Sequence, residues 1–108
     1  MPDLNERTLG QLDLRIATIL EAERVPKTDR LLKLQVRMGE EVRQLVAGIG
    51  ASYDPQDLAG KQVIVVANLE PATIRGVESR GMLLAASGET GVVLLGPETE
   101  VPDGTRVE

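Results

Sequence analysis

The sequence predicts an all-β fold, a small barrel of five strands. Leu12–Arg24 and Leu31–Arg37 alternate apolar and polar residues at the period of two that marks a half-buried strand. Val63–Ala67 and Met82–Ala86 are short apolar runs bounded by turn residues, which fits strands buried in a barrel or sandwich. Turn residues recur at close spacing and helical periodicity is nearly absent, so strands have only other strands to pack against.

Taken in order, Leu4–Leu9 reads as one or two turns of helix, capped by Asp3 and stopped at Gly10. In the first strand Leu12, Leu14, Ile16 and Leu20 form the predicted inner face against Asp13, Arg15 and Glu21 outside, and Pro26 ends it. The second strand turns Leu32, Leu34, Val36 and Met38 inward and Lys33, Gln35 and Arg37 outward. Gly39 turns the chain at a solvated Glu40–Glu41 corner, and Val42–Ile49 returns as the third strand. Tyr53–Leu58 is a brief helical turn with Asp54 as its N-cap, closed by Gly60. Residues 62–69 and 81–86 supply strands four and five. Gly88–Gly91 then turns into Val92–Leu95, and the tail from Gly96 is irregular apart from a short strand at Arg106–Val107.

Composition bounds the rest. A chain of 108 residues holds one core, so residues 1–108 read as a single domain. The interior is aliphatic: 42% of residues are apolar but Tyr53 is the one aromatic side chain. No apolar run approaches the roughly 20 residues that span a bilayer, and the N-terminus lacks the basic start and apolar centre of a secretory signal, so a cytoplasmic protein is expected. Without cysteine there is no disulfide, thiolate nucleophile or cysteine metal site. Without histidine the usual acid–base group at neutral pH is missing too, so the expectation is a non-enzyme with no cofactor and no metal. Gly48-Ile49-Gly50-Ala51-Ser52-Tyr53 begins like a dinucleotide fingerprint but carries Tyr53 at the third glycine position, and Gly60-Lys61 is followed by Gln62, where a P-loop needs Ser or Thr.

The most informative segment is the loop between strands four and five, which holds Asn68-Leu-x-Pro71, Arg75-Gly76 and Ser79-x-Gly81-Met82. Upstream, in order, stand Asp13-Leu14-Arg15-Ile16, then Pro26-x-x-Asp29-Arg30-Leu31-Leu32-x-Leu34-x-Val36, Arg43-x-Leu45-Val46-x-Gly48-Ile49, and Tyr53-x-Pro55-x-x-Leu58-x-Gly60-Lys61. Each piece is common; the ordered set resembles the tRNA-binding domain that follows the catalytic body of many methionyl-tRNA synthetases and also occurs as a free-standing structure-specific tRNA-binding protein. The resemblance covers roughly residues 12–107. It implies an oligonucleotide-binding (OB) barrel with a C-terminal extension, tRNA and an aminoacyl-tRNA synthetase as partners, and a two-fold homodimer built by the terminal segments. A related secretion-chaperone family shares the barrel and the dimer, so a protein-interaction module is the rival expectation.

Net charge, 12 basic minus 17 acidic or −5, is unfavourable for gripping a polyanion, but it is unevenly spread. Arg24–Arg43 carries six bases and three acids, whereas Ser87–Glu108 carries one base and five acids. A barrel with one ring lacks the stacking platform that holds single strands, so binding through phosphates, sugar hydroxyls and shape favours a folded RNA. Tyr53 reads as a packing residue. By position-for-position match, the resemblance implies that Lys27, Arg30, Lys33, Arg43, Asn68, Arg75, Ser79 and Arg80 are the RNA-binding residues. Their plainer alternatives are solvated charges on strand faces and, for Asn68 and Ser79, satisfaction of backbone groups across the turn. Ala72 departs from relatives that carry a basic side chain there, which predicts weaker affinity. The tail residues Val92–Leu95, Val101 and Val107 either form the dimer contact or fold back over their own barrel, with the dimer favoured.

Overall fold

A computed structural model describes residues 3–108; Met1 and Pro2, which begin the N-terminus read above as non-secretory, lie outside the described residues. A four-residue helix α1 (Glu6–Leu9) is followed by strands β1 (Leu14–Arg24), β2 (Leu32–Met38) and β3 (Glu41–Ala47). A 3-10 turn (Pro55–Asp57) leads to β4 (Gln62–Val66), the short pair β5 (Ala72–Ile74) and β6 (Val77–Ser79), then β7 (Met82–Leu83), β8 (Ala85–Gly88), β9 (Gly91–Leu94) and β10 (Arg106–Val107). The main sheet runs β3-β2-β1-β4-β7, with β10 added to β1, and every pairing is antiparallel.

The curl comes from β1, which is long enough to serve two partners in succession. Leu14–Thr18 pairs with β4, and Thr18–Arg24 pairs with β2. A register shift between Ile19 and Glu21, the mark of a β-bulge, bends the strand between the two duties and wraps the sheet into an OB-like half barrel. The expected inner face of β1 is corrected. Ala17 and Ile19, ahead of the bulge, are fully buried and face the core, whereas Leu12, before the strand, and Leu20, at the bulge, are exposed; beyond the bulge the inward parity changes, and Ala22 packs against the core. Ile16, on the opposite parity to Ala17, is buried as well; the tail covers it, with the Gly104 amide donating to the Ile16 carbonyl at 2.7 Å.

Strand β2 keeps the expected alternation: Leu32, Leu34, Val36 and Met38 are buried and Lys33, Gln35 and Arg37 face outward. With Leu45, Leu58, Val63 and Val65 they fill an aliphatic core, and Tyr53 packs at its margin while its hydroxyl accepts the Leu94 amide at 3.0 Å. The cap expected for α1 is corrected, and the one expected at Asp54 holds in position only. Asn5, not Asp3, caps α1 by accepting the Thr8 amide at 2.9 Å, because Oδ1 needs the N3 spacing that Asp3 lacks for a helix beginning at Glu6. Asp54 occupies the N-cap position of the 3-10 turn but its side chain makes no capping bond.

Strand five, expected over 81–86, is divided at Leu84, whose amide donates to Ile64 and whose carbonyl accepts from Leu95. The tail folds back on its own barrel: β9 pairs with β8, β10 pairs with β1, and Val92 and Leu94 lie against the core. Gln62 clamps Val101 in both directions, donating to its carbonyl at 2.7 Å and accepting its amide at 3.1 Å. Asp103 accepts hydrogen bonds from Thr18 and from Arg37, the latter at 2.6 Å. Burial opposes ionisation of Asp103, but these bonds, with the charge of Arg37 and a bond from Gln62, hold its carboxyl below the usual carboxylate range.

Candidate nucleic-acid interface

The segment expected to be a plain loop between β4 and β7 is a hairpin. Ile74 pairs with Val77, so Arg75 and Gly76 form a two-residue connection, and both have positive φ, 52° and 79°. That is the signature of a type I′ turn, whose twist matches that of paired strands. The hairpin docks on the outer edge of β3. The Arg80 amide donates to the Gln44 carbonyl at 2.9 Å, Gln44 Nε2 donates to the Glu78 carbonyl at 2.8 Å, and the Val46 amide donates to Ser79 Oγ at 3.0 Å. These bonds satisfy part of an edge that would otherwise present open backbone groups. Gly81 lets the chain leave the hairpin: its φ is 135°, and a Cβ there would lie 3.1 Å from both Leu45 Cδ2 and the Val66 carbonyl oxygen.

The eight residues expected to bind RNA separate into two groups once their partners are known. Three have their polar atoms committed inside the fold. Ser79 is buried and its Oγ also donates to the Gly81 carbonyl at 3.2 Å. Asn68 ties the N-terminal segment to the end of β4, accepting the Asp13 amide at 2.9 Å and donating to the Gln11 carbonyl at 2.7 Å. Arg43 bridges β3 to the hairpin's two ends: one Nη donates to the Ala67 carbonyl at 2.6 Å and the Arg80 carbonyl at 3.3 Å, while Nε bonds Glu41 at 2.9 Å. The hydrogen bond from Arg43 is the main cause of the lowered pKa of Glu41; burial opposes it, and the charges of Arg43 and Arg80 add to it.

The other five project from turns and outer faces. Lys27 and Arg30 lie in the β1–β2 turn, Arg75 at the hairpin tip and Arg80 at the hairpin's exit, all exposed and all outside any ion pair among the described residues. Lys33, on the outer face of β2, pairs with Glu23 at 2.6 Å. Val77 of the hairpin lines a crevice of about 150 Å³ together with Pro26 and Lys33, so the hairpin and the β1–β2 turn border one hollow. Arg37 shares the outward face with Lys33 but is paired with Asp103 of the acidic tail, which bounds the positive region on that side.

Sequence reasoning missed two residues that shape this surface. Arg24 donates to the carbonyls of Asp29 at 3.1 Å and Gly50 at 3.0 Å, fixing the turn that carries Lys27 and Arg30. Gln44 holds the hairpin to β3 and accepts a bond from Gln35 Nε2 at 3.0 Å. The basic run contained Arg24, but nothing in the sequence placed carbonyls of Asp29 and Gly50 around it; Gln44 carries no sequence signal.

The family described as "Putative tRNA binding domain" matches residues 14–106. A methionine–tRNA ligase of Methanothrix thermoacetophila is 60% identical over 96 residues, covering 89% of this chain and 14% of that protein. The chain thus spans about one seventh of the length of such relatives. A methionyl-tRNA-synthetase-related protein from Pyrococcus horikoshii superposes with a TM-score of 0.93 at 38% identity, covering all of both chains. The chaperone CsaA of Bacillus anthracis superposes with a TM-score of 0.89 at 34% identity, covering 99% of this chain and all of that one.

Proposed function

The chain belongs to the tRNA-binding domain family, and from that premise we propose that it binds folded tRNA without catalysing a reaction, as a homodimeric module associated with methionyl-tRNA synthetase in the cytoplasm. The observation that carries the proposal is the set of exposed cations Lys27, Arg30, Arg75 and Arg80, held on two neighbouring projections and outside any ion pair among the described residues. Unpaired charges on a surface contribute little to folding, so their use is to meet an external anion. Lys33 joins them when a phosphate competes with Glu23 for its ammonium group. Arg43, Asn68 and Ser79 act by position: they hold the hairpin and the end of β4 in place.

Recognition of shape follows from the fate of the one aromatic ring. Tyr53 packs against the core and spends its hydroxyl on Leu94, so bases find no aromatic platform, and contacts fall to phosphates and sugars arrayed by a folded RNA. A homodimer doubles a weak face, and linked contacts raise affinity without new chemistry. Titration of tRNA into the protein tests the proposal; absence of saturable, salt-sensitive binding contradicts it. The likeness to CsaA at 34% identity supports a second reading, a chaperone-like module. It predicts suppression of aggregation of an unfolded client that added tRNA leaves unchanged.

A further inference from the structure

Eight described residues adopt a left-handed backbone, and six of them are glycines. Glycine is the residue that takes this conformation without a Cβ clash, and among the others Asn and Asp tolerate it best. The two exceptions are Lys27, with φ 67°, and Arg75, with φ 52°. Both are long cations with no carboxylate partner among the described residues. Each sits at a turn, Lys27 next to Pro26 and Arg75 two residues before Val77, and Pro26 and Val77 line the same crevice together with Lys33 and its partner Glu23. Arg75 also occupies the first central position of a type I′ turn, where Asn, Asp or Gly is the favoured residue.

Among the described residues neither side chain makes a hydrogen bond or an ion pair, and both are exposed. Strain of this kind persists where a side chain is needed for something other than the fold. We propose that Lys27 and Arg75 form a two-tip clamp that grips the sugar–phosphate backbone of bound RNA across this crevice, and that each holds its place against the conformational preference of its own turn. The planar guanidinium of Arg75 suits bidentate contact with one phosphate, and the ammonium of Lys27 acts as a point charge on another. The clamp rests on the tRNA-binding reading and names the residues that anchor the backbone within it.

The test uses Lys27→Gly, Arg75→Gly and the double variant in the full chain, with Lys27→Asn and Arg75→Asn as a second set. Thermal unfolding and tRNA titration at 50 and 200 mM salt are measured for each. Relief of the left-handed penalty matches or exceeds the added chain entropy of glycine, so Tm stays level or rises by up to roughly 10 °C. Arg30→Gly, in the same turn but without a left-handed backbone, lowers Tm. Binding changes in the opposite sense: each single clamp variant loses affinity, and its log–log salt slope falls by about one unit, so it loses about fourfold less affinity across that salt range, and the double variant falls by about two units. Lys27→Arg and Arg75→Lys keep the wild-type slope. Glycine variants that bind tRNA with wild-type affinity and slope overturn the clamp while leaving tRNA binding intact. A fall in Tm as large as that of Arg30→Gly removes the argument from strain. A wild-type chain that fails to bind tRNA overturns both the clamp and the reading beneath it.

Discussion

Ser79→Ala separates a residue that shapes the RNA surface from one that touches RNA. Ser79 is 4% exposed, and its Oγ accepts the Val46 amide at 3.0 Å while donating to the Gly81 carbonyl at 3.2 Å. Alanine removes both bonds and leaves a buried N–H of β3 without a partner. Leaving one such group unsatisfied costs about 1–3 kcal/mol. At about 4–8 °C per kcal/mol for a domain near this size, the middle of that range lowers Tm by roughly 10 °C. Circular dichroism followed through thermal unfolding measures the shift, and tRNA titration well below the lowered Tm measures binding. Because Ser79 acts through the hairpin, the folded variant keeps the wild-type salt slope, and Ser79→Thr, which keeps the oxygen, loses less stability. A variant with wild-type Tm and weakened tRNA binding would refute this reasoning and make Ser79 a direct contact.

Arg30→Ala and Lys33→Ala should each weaken tRNA binding and change unfolding free energy by no more than about 1 kcal/mol, while Lys61→Ala leaves affinity unchanged; equal affinity across all three and wild type contradicts the assigned face. Asp103 has a folded pKa below the ordinary value of about 3.9. Its contribution is therefore complete above that value and disappears as pH falls through the lower folded one. Asp103→Asn should be less stable than wild type at pH 7 and should converge with it in acid, as read from urea unfolding at several pH values; a constant difference at all pH values argues against the Asp103 latch. Removal of residues 96–108 takes away β10, the Gln62–Val101 clamp and the Arg37–Asp103 pair, so Tm falls. Light scattering on the intact chain at micromolar concentration should give the mass of a dimer; a monomer removes the two-face contribution to affinity.

Strand β2 was fully legible because seven residues alternate without interruption and one face is buried throughout. Strand β1 was legible as a strand but not in its facing, since Ile16 on one parity and Ala17 and Ile19 on the other are all apolar and all buried, the first under a tail that the sequence does not place there, and the bulge beyond Ile19 has no reliable mark in a single sequence. The β5–β6 hairpin escaped because three-residue strands are too short to show a period and its turn carries Arg75 where Asn or Gly would have announced it. The tail's apolar residues were legible, but the destination of Val101 and Val107 depended on Gln62 and on β1, about 40 and 90 positions earlier in the chain. At the site, the cations were visible as charges. What could not be read was their company: Arg43 finds carbonyls of Ala67 and Arg80 that only the folded chain brings to it, whereas Lys27 and Arg75 form no ion pair among the described residues.

The central claim is that this chain reads the backbone of a folded RNA through projecting cations. Its most direct test is a paired titration of labelled tRNA and an unstructured RNA of equal length, each at 50 and 200 mM salt. The account predicts saturable binding of tRNA that weakens steeply with salt, and weaker binding of the unstructured strand, which presents no fixed array of phosphates and meets no exposed ring on which to stack. Equal affinity for the two RNAs contradicts the reading of shape, and tRNA affinity that does not change with salt contradicts the phosphate contacts themselves.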